Sequence, residues 1–180
     1  MCEQIVLSLD MSTTCTGWAL FKEKELIDYG KITPNKSDEW QDRLQEITFE
    51  IKSVVEHYNP TKIVAEDVPL KRSGGMKTLV MLGAVQGALL AICGTYDIEY
   101  QLVPVATWRR KVELFDGTEK GKERSVLKQH SIELANKLFD LSLVYKSPTS
   151  KFNDDDISDA VLVGYSTFLK DKRLGKKIDI

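Results

Sequence analysis

Residues 4–10, Gln-Ile-Val-Leu-Ser-Leu-Asp, form a mainly apolar run that ends in a carboxylate. A short run of this kind predicts a strand at the centre of a sheet, buried on both faces. Turn-forming residues follow at 12–14, and residues 16–22 and 25–33 predict two further strands joined by a tight charged turn. The N-terminal part of the chain therefore predicts an antiparallel β-meander, with Asp10 at the end of its first strand.

The rest of the chain alternates between strand-like and helix-like patterns. Strands are predicted over 61–66 and 98–103, and helices over 38–57, 76–94, a short segment after Pro104, 119–139 and 154–170. A meander followed by such alternation predicts an α/β fold, in which a mixed five-stranded sheet carries helices on both faces. The length fits a single domain over residues 1–180.

The chain carries 25 basic and 27 acidic side chains, so its formal net charge of −2 does not by itself indicate a nucleic-acid partner. The charges are unevenly distributed, however. Acidic residues gather at 154–156, and basic residues gather at 71–72, 109–111 and 120–128. This distribution is compatible with a basic surface beside a small acidic site.

Three widely spaced cysteines without a CxxC pair indicate reduced thiols in a cytoplasmic protein. The N-terminus lacks the pattern of a signal peptide. Glycines and a glutamine interrupt the longest apolar run, residues 79–93, which predicts that it is too short and broken to span a bilayer. We therefore expect no membrane partner.

Four carboxylates occupy the ends of predicted strands and the first turns of a predicted helix: Asp10, Glu66, Asp156 and Asp159. If the first and fourth strands are parallel neighbours, Asp10 and Glu66 project from the same edge of the sheet. Asp156 and Asp159 are three residues apart and face the same side of a helix. Because clustered carboxylates repel one another, a hard divalent cation such as Mg²⁺ is the usual reason for keeping them together. Four carboxylates could hold two ions, which suit phosphodiester hydrolysis.

Simpler interpretations of these acids exist. An aspartate that ends a strand often only forms a turn. Residues 154–156 could favour the positive end of a helix dipole. Asp159 is harder to explain in this way, because it lies one turn inside the helix, directly before the apolar residues 160–163, and needs a partner there.

Five segments of the chain resemble, in the right order, the RuvC-type Holliday junction resolvases. They are Leu9-Asp10-Met11-Ser12-Thr13-Thr14-Cys15-Thr16-Gly17-Trp18, Ile63-Val64-Ala65-Glu66, the helix with Leu82-Gly83 and Gln86-Gly87, residues 104–110, and Asp156-Ile157-Ser158-Asp159-Ala160. The resemblance implies a ribonuclease H-like fold and a homodimer that nicks branched DNA, leaving 5′-phosphate and 3′-hydroxyl ends. It implies that the catalytic residues and metal ligands are Asp10, Glu66, Asp156 and Asp159. The implied cofactor is Mg²⁺, two ions per site, with Mn²⁺ able to substitute and no organic cofactor.

The chain also departs from that family. Ser12 stands where the family commonly has glycine, and Pro69-Leu70 stands where an aromatic often wedges at the junction centre. Forks and three-way junctions are therefore expected substrates beside four-way junctions. The size, the diverged loops and the Lys-rich tail resemble the phage-encoded branch of the family, which would place the protein in the cytoplasm of a bacterial host.

Basic residues near the predicted site are expected to contact DNA phosphates. They are Lys71, Arg72, Lys77, Arg109, Arg110, Lys120 and Lys122. A solvated helix face is the alternative interpretation, and it is the one favoured for Lys128 and for the C-terminal tail.

Two other functions fit parts of the sequence. Asp10 with residues 12–14 also resembles the phosphate-binding hairpin of actin-, sugar kinase- and Hsp70-like ATPases, which need two such domains and a second phosphate loop. A branched-DNA-binding protein with a decayed site is the second alternative. The paired acids at 156 and 159 favour the nuclease over the ATPases, and the intact set of four carboxylates argues against a decayed site.

Overall fold

The computed structural model describes residues 4–67, 75–115 and 123–170. Within these residues one sheet contains five strands: β1 (Ile5–Met11), β2 (Thr16–Lys22), β3 (Glu25–Ile32), β4 (Lys62–Glu66) and β5 (Glu99–Val103). The strand order is β3-β2-β1-β4-β5. β1 pairs antiparallel with β2 and parallel with β4, and β5 extends the parallel part. The predicted mixed sheet is confirmed, with β1 at its centre.

Five helices pack on this sheet in the described part of the chain. They are α1 (Trp40–Tyr58), α2 (Met76–Tyr96), α3 (Val105–Lys111), α4 (Arg124–Phe139) and α5 (Asp155–Thr167). Most of these bounds agree with the predicted ones within a few residues. The predicted start of α4 at residue 119 falls outside the described residues. Within the described residues the helix begins at Arg124.

Alternating side chains of the central strands fill two separate cores. Leu7 and Leu9 of β1 pack with α1 and α2, whereas Val6 packs with α3, α4 and α5. The same alternation in β4 sends Ile63 to the first core and Val64 to the second. Because strand side chains alternate with a period of two, Asp10 and Glu66 project on the α3–α5 face.

The register brings these two carboxylates together. Leu9 of β1 is paired with Ala65 of β4, so Asp10 and Glu66 are the next residues along neighbouring parallel strands. The first and fourth strands are therefore parallel neighbours, which was the condition for both carboxylates to leave the same edge of the sheet.

Two glycines allow α5 to lie directly against β1 and β2. A Cβ atom at Gly17 would lie 1.8 Å from the carbonyl oxygen of Asp156, and one at Gly164 would lie 2.5 Å from the Ser8 Oγ. No side chain fits in either gap. The N-terminal turn of α5, which carries Asp156, is therefore placed beside the end of β1.

Helix α2 has an unusual surface. It is 21 residues long, longer than the run 79–93 suggested, and by length and composition alone it could cross a membrane. A single helix of this kind is a weak indicator, because the core helices of soluble proteins meet the same criteria. Here, however, only 22% of the most apolar 18-residue stretch of α2 is buried. Val85, Leu89, Ile92 and Cys93 face the core, and much of the remaining apolar surface has no cover among the described residues.

The contact at Gly17 yields a stability prediction. Gly17→Ala should lower the free energy of unfolding by about 1–3 kcal/mol or more, because either α5 or β2 must move to admit the methyl group. Gly94→Ala is the control, since its Cβ meets no described atom within 4 Å and alanine favours a helix. Urea unfolding followed by circular dichroism measures both. Equal stability of the two variants would contradict the close contact.

Candidate active site

The structure brings the four predicted carboxylates to one end of the sheet. Asp10 and Glu66 end β1 and β4, and Asp156 and Asp159 lie in the first two turns of α5. Burial raises the pKa of Asp10 well above its ordinary value, and the charges of Asp159, Glu66 and Asp156 raise it further, in that order. Residues from three separate parts of the chain therefore share one electrostatic environment.

Asp159 is held by helix α4. The Ser131 hydroxyl donates a hydrogen bond to the Asp159 Oδ1, and the Ser158 hydroxyl donates to the Ser131 Oγ at 3.0 Å. Burial raises the pKa of Asp159 to about 7, although the Ser131 hydrogen bond and the charge of Arg109 act in the opposite direction. This carboxyl therefore changes its charge near neutral pH.

Glu66 is held by helix α3. The indole N–H of Trp108, which is fully buried, donates to the Glu66 Oε2 at 2.9 Å. Burial raises the pKa of Glu66, while this hydrogen bond and the charge of Arg109 lower it. The guanidinium carbon of Arg109 lies 5.1 Å from the centroid of the Trp108 ring. Arg109, predicted from the sequence as a DNA contact, is thus a counter-charge inside the acidic site.

The neighbouring acids have structural partners. The Asp154 carboxylate accepts a hydrogen bond from the Lys31 Nζ at 2.7 Å and another from the Val144 N–H at 2.9 Å. Asp155 forms an ion pair with Lys128. Asp155 nevertheless lines the same cleft as Asp10 and Asp156, and its charge contributes to the raised pKa of Asp10. The assignment of the late pair to Asp156 and Asp159 fits this geometry.

A cleft of about 810 Å³ opens above Asp10, Asp155 and Asp156. Cationic side chains from three separate parts of the chain also line it: Lys31, Lys36, Arg124, Lys128 and Lys151. The interpretation of Lys128 as part of a solvated face was wrong, because its ammonium group pairs with Asp155 at this cleft. These five cationic side chains form the rim of the cleft. They come from the end of β3 and the residues just after it, from the start of α4 and from the loop before α5, and no local sequence pattern connects these three parts.

The other predicted DNA contacts fall elsewhere. Lys71, Arg72, Lys120 and Lys122 lie outside the described residues, as does Pro69-Leu70. Lys77 is exposed in the first turn of α2, and Arg110 is half-buried on α3. Neither Lys77 nor Arg110 lines the cleft described above.

The donor chemistry of the site fits a hard divalent cation, because all four side chains offer carboxylate oxygens and repel one another. In residues 4–67, 75–115 and 123–170, however, no three His, Cys, Asp or Glu side chains stand together as a ready-made metal site. Two of the carboxylates are instead bonded to Trp108 and Ser131.

The sheet order, the parallel β1–β4 pair and the α5 contact define the class of fold, which is ribonuclease H-like. Solved structures agree. Thermus thermophilus RuvC in complex with a Holliday junction substrate has a TM-score of 0.68 at 12% identity, covering 92% of this chain and 94% of that one. The Fowlpox virus resolvase with Holliday junction DNA has a TM-score of 0.52 at 12% identity, covering 91% of this chain and 97% of that one.

No family model matches the chain. Curated relatives named crossover junction endodeoxyribonuclease RuvC do match it. The protein of Rickettsia akari is 23% identical over 166 residues, covering 90% of this chain and 95% of the relative. The protein of Rickettsia bellii is 24% identical with the same coverage. The chain is thus similar over most of its length to the RuvC-type resolvases, and the resemblance predicted from the sequence is confirmed. The actin- or sugar kinase-like alternative is not favoured.

The raised pKa values predict how stability depends on pH. Between the ordinary pKa of 3.8 and the raised folded value, the folded state binds more protons at Asp10 than the unfolded state does. The contribution of this group therefore favours folding at low pH and is lost as the pH rises through the folded pKa. Asp159, with a pKa of about 7, behaves in the same way.

We therefore expect Asp10→Asn to stabilise the metal-free protein by about 1–2 kcal/mol at pH 8. At pH 4 the gain should shrink, because the native carboxyl is protonated there in the folded state. Urea unfolding at pH 4, 6 and 8 in a chelator measures both. Glu50→Gln, an exposed change on α1, should have little effect at any of these pH values. A loss of stability in Asp10→Asn at pH 8 would contradict the electrostatic description.

Proposed function

We propose that the chain is a metal-dependent, structure-selective endodeoxyribonuclease that nicks branched DNA, including Holliday junctions, forks and three-way junctions. The observation that carries this proposal is the electrostatic cluster of four carboxylates at one end of a ribonuclease H-like sheet, two of which, Asp10 and Asp156, line a cleft together with cationic side chains. The names of the curated relatives support the same activity. A role in recombination, repair or phage DNA processing follows from that activity.

The charges of the cleft suit a phosphodiester substrate only when a cation is bound. Basic side chains on the rim would hold the DNA backbone through its phosphates, without reading the sequence. The acidic floor would repel the scissile phosphate in the absence of a counter-ion. The basic side chains thus require a negatively charged ligand, and the carboxylates require a positively charged one. DNA provides the negative charge and a divalent cation provides the positive charge.

The proposed ligands are Asp10, Glu66, Asp156 and Asp159, with Mg²⁺ as the cofactor, two ions per site, and Mn²⁺ able to substitute. Bound divalent cations would supply Lewis-acid stabilisation and an activated water for hydrolysis of the phosphodiester. The Trp108 N–H would orient Glu66, and the Ser131 O–H would orient Asp159, through the hydrogen bonds that these groups already donate. Arg109 would limit the repulsion between those ligands.

The DNA-binding surface is proposed to combine two groups of residues. The first group is the cleft rim described above. The second contains the residues predicted from the sequence: Lys71, Arg72, Lys77, Arg109, Arg110, Lys120 and Lys122. The phage-encoded origin and the location in a bacterial host cytoplasm also stay predictions.

Cleavage of a panel of end-labelled DNAs tests the nuclease proposal. The wild type should nick four-way, three-way and forked DNA in Mg²⁺ or Mn²⁺ and leave a linear duplex largely intact. Asp10→Asn and Glu66→Gln should each reduce cleavage about 100-fold or more, because each removes a ligand charge worth several kcal/mol in the transition state. Glu50→Gln is the matched control and should cut normally.

Two results would contradict this proposal in different ways. A wild type that binds branched DNA but never nicks it would support the binding-protein alternative. Cleavage that is unchanged in Asp10→Asn and Glu66→Gln would show that the active site does not contain these two carboxylates.

We further propose that two copies of the chain form a twofold dimer through α2, because symmetrical cutting of a four-way junction needs two related sites. Cβ atoms placed at Gly83, Gly87 and Gly94 would meet no described atom within 4 Å, so this small-residue stripe lies open. Exposed apolar side chains of the same helix continue the surface, with Met76 at 65% and Val80 at 56% exposure. A second copy of α2 would cover both features.

Val80→Glu tests the dimer. The wild type should sediment as a dimer, and the variant should shift to monomer, because two added charges would face each other across the twofold axis. Ile27→Glu, at an exposed position on β3, is the control and should leave the dimer intact. Sedimentation velocity at concentrations that span the working range measures the shift. A wild type that is monomeric throughout, or that needs detergent to stay in solution, would contradict the proposal.

A further inference from the structure

Phe152 is an exposed aromatic side chain at the candidate active site. It is 58% exposed and lines the same cleft as Asp10 and Asp156. It is not among the members of either apolar core, although Leu143 of the same loop is. The fold therefore gives no packing reason for a phenylalanine at this position.

Two lysines flank the ring. The Lys146 Nζ lies 4.7 Å from the ring centroid and the Lys151 Nζ lies 5.3 Å from it. Both distances are within the range of a cation–π contact. An exposed aromatic ring with two ammonium groups near it offers an apolar surface for a base together with charges suited to the adjoining phosphates.

The loop that carries Phe152 is held in place by its own hydrogen bonds. The buried Asn153 side chain accepts the Lys146 N–H and donates to the Ser147 carbonyl, both at 2.8 Å. The Asp154 N–H donates to the Val144 carbonyl at 3.0 Å, which closes the loop at its base. The ring is therefore presented to the cleft by an ordered support, which lowers the entropic cost of binding.

We propose that Phe152 stacks on an unpaired or unstacked nucleobase at the branch point, while Lys146 and Lys151 contact the adjoining phosphates. This inference rests on the proposed function and adds to it a source of selectivity for branched DNA. In a continuous duplex each base is already stacked between its neighbours, whereas a branch point offers bases that are not. Stacking on an aromatic side chain needs no particular base sequence, because every base has a π-face.

Such a contact would add selectivity for branched DNA from the loop that leads into α5. Because Phe152 lines the same cleft as Asp156, it would couple recognition of the branch to the site of hydrolysis.

Binding of the catalytically inactive Asp10→Asn protein to fluorescent DNA tests the inference without cleavage. In that background Phe152→Ala should weaken binding to forked and four-way DNA roughly 5- to 150-fold, the effect expected for one lost stacking contact. Binding to a linear duplex should be unchanged. Phe152→Trp should retain affinity, and Phe152→Leu, which is apolar but not aromatic, should lose it. Tyr100→Ala, 52% exposed on β5, is the control for removal of an exposed aromatic outside the cleft.

An abasic scan of the branch point sharpens the test. Removing the base that stacks on Phe152 should weaken binding of the Asp10→Asn protein, and adding Phe152→Ala should then cause no further loss, as expected for two partners in one contact. Thermal unfolding of each variant verifies that the fold is kept.

The possible outcomes separate the inference from the function on which it rests. Wild-type protein that nicks branched DNA, with Phe152→Ala or Phe152→Leu binding it equally well, overturns the stacking inference alone. An equal loss on duplex and branched DNA also overturns it, because stacking on a free base would not produce such a loss. Wild-type protein that neither binds nor nicks branched DNA overturns the proposed function and this inference together.

Discussion

The site depends on the direct contact between helix α5 and strands β1 and β2. Glycine at position 17 leaves room for the carbonyl of Asp156, and glycine at position 164 leaves room for the Ser8 side chain. With any larger residue at these two positions, α5 would lie farther from the sheet and Asp156 and Asp159 would move away from Asp10. A packing constraint in the second core thus determines whether carboxylates from distant parts of the chain share one site.

That arrangement has a cost, which is concentrated at the site. Burial and mutual repulsion raise the pKa of Asp10 and Asp159, so the folded protein is less stable with these groups charged. The surrounding helices offset part of this cost through specific donors: the Trp108 indole, the Ser131 hydroxyl and the Arg109 charge. Sites that keep uncompensated carboxylates together are commonly functional, and a divalent cation would relieve the repulsion that remains.

Much of this arrangement could be predicted from local patterns. Apolar runs predicted the central strands, and their ends identified Asp10 and Glu66. Helical spacing identified Asp156 and Asp159 as residues on one side of α5. These features depend on periodicity, which a sequence displays directly. The parallel pairing of β1 and β4 was instead a condition of the prediction, because helix α1 joins β3, and not β1, to β4.

The rest depends on tertiary contacts that no local pattern records. Lys31, Lys151 and Phe152 come from a strand end and a loop that are more than 100 residues apart, and only the folded sheet brings them to one cleft. Trp108 could be recognised as a core residue, but its hydrogen bond to Glu66 could not. Lys128 looked like a solvated residue because its partner, Asp155, lies on another helix. In each case the deciding interaction joins elements that are distant in sequence.

The most direct test of the central claim is anomalous diffraction from crystals of the wild-type protein grown with Mn²⁺. Anomalous peaks are expected within about 2.0–2.3 Å of carboxylate oxygens of Asp10 and of at least two of Glu66, Asp156 and Asp159. The corresponding peaks should be lost or weakened in Asp10→Asn crystals grown in the same way. Strong Mn²⁺ peaks elsewhere, with none among these four carboxylates, would contradict the claim that they form a metal-dependent active site.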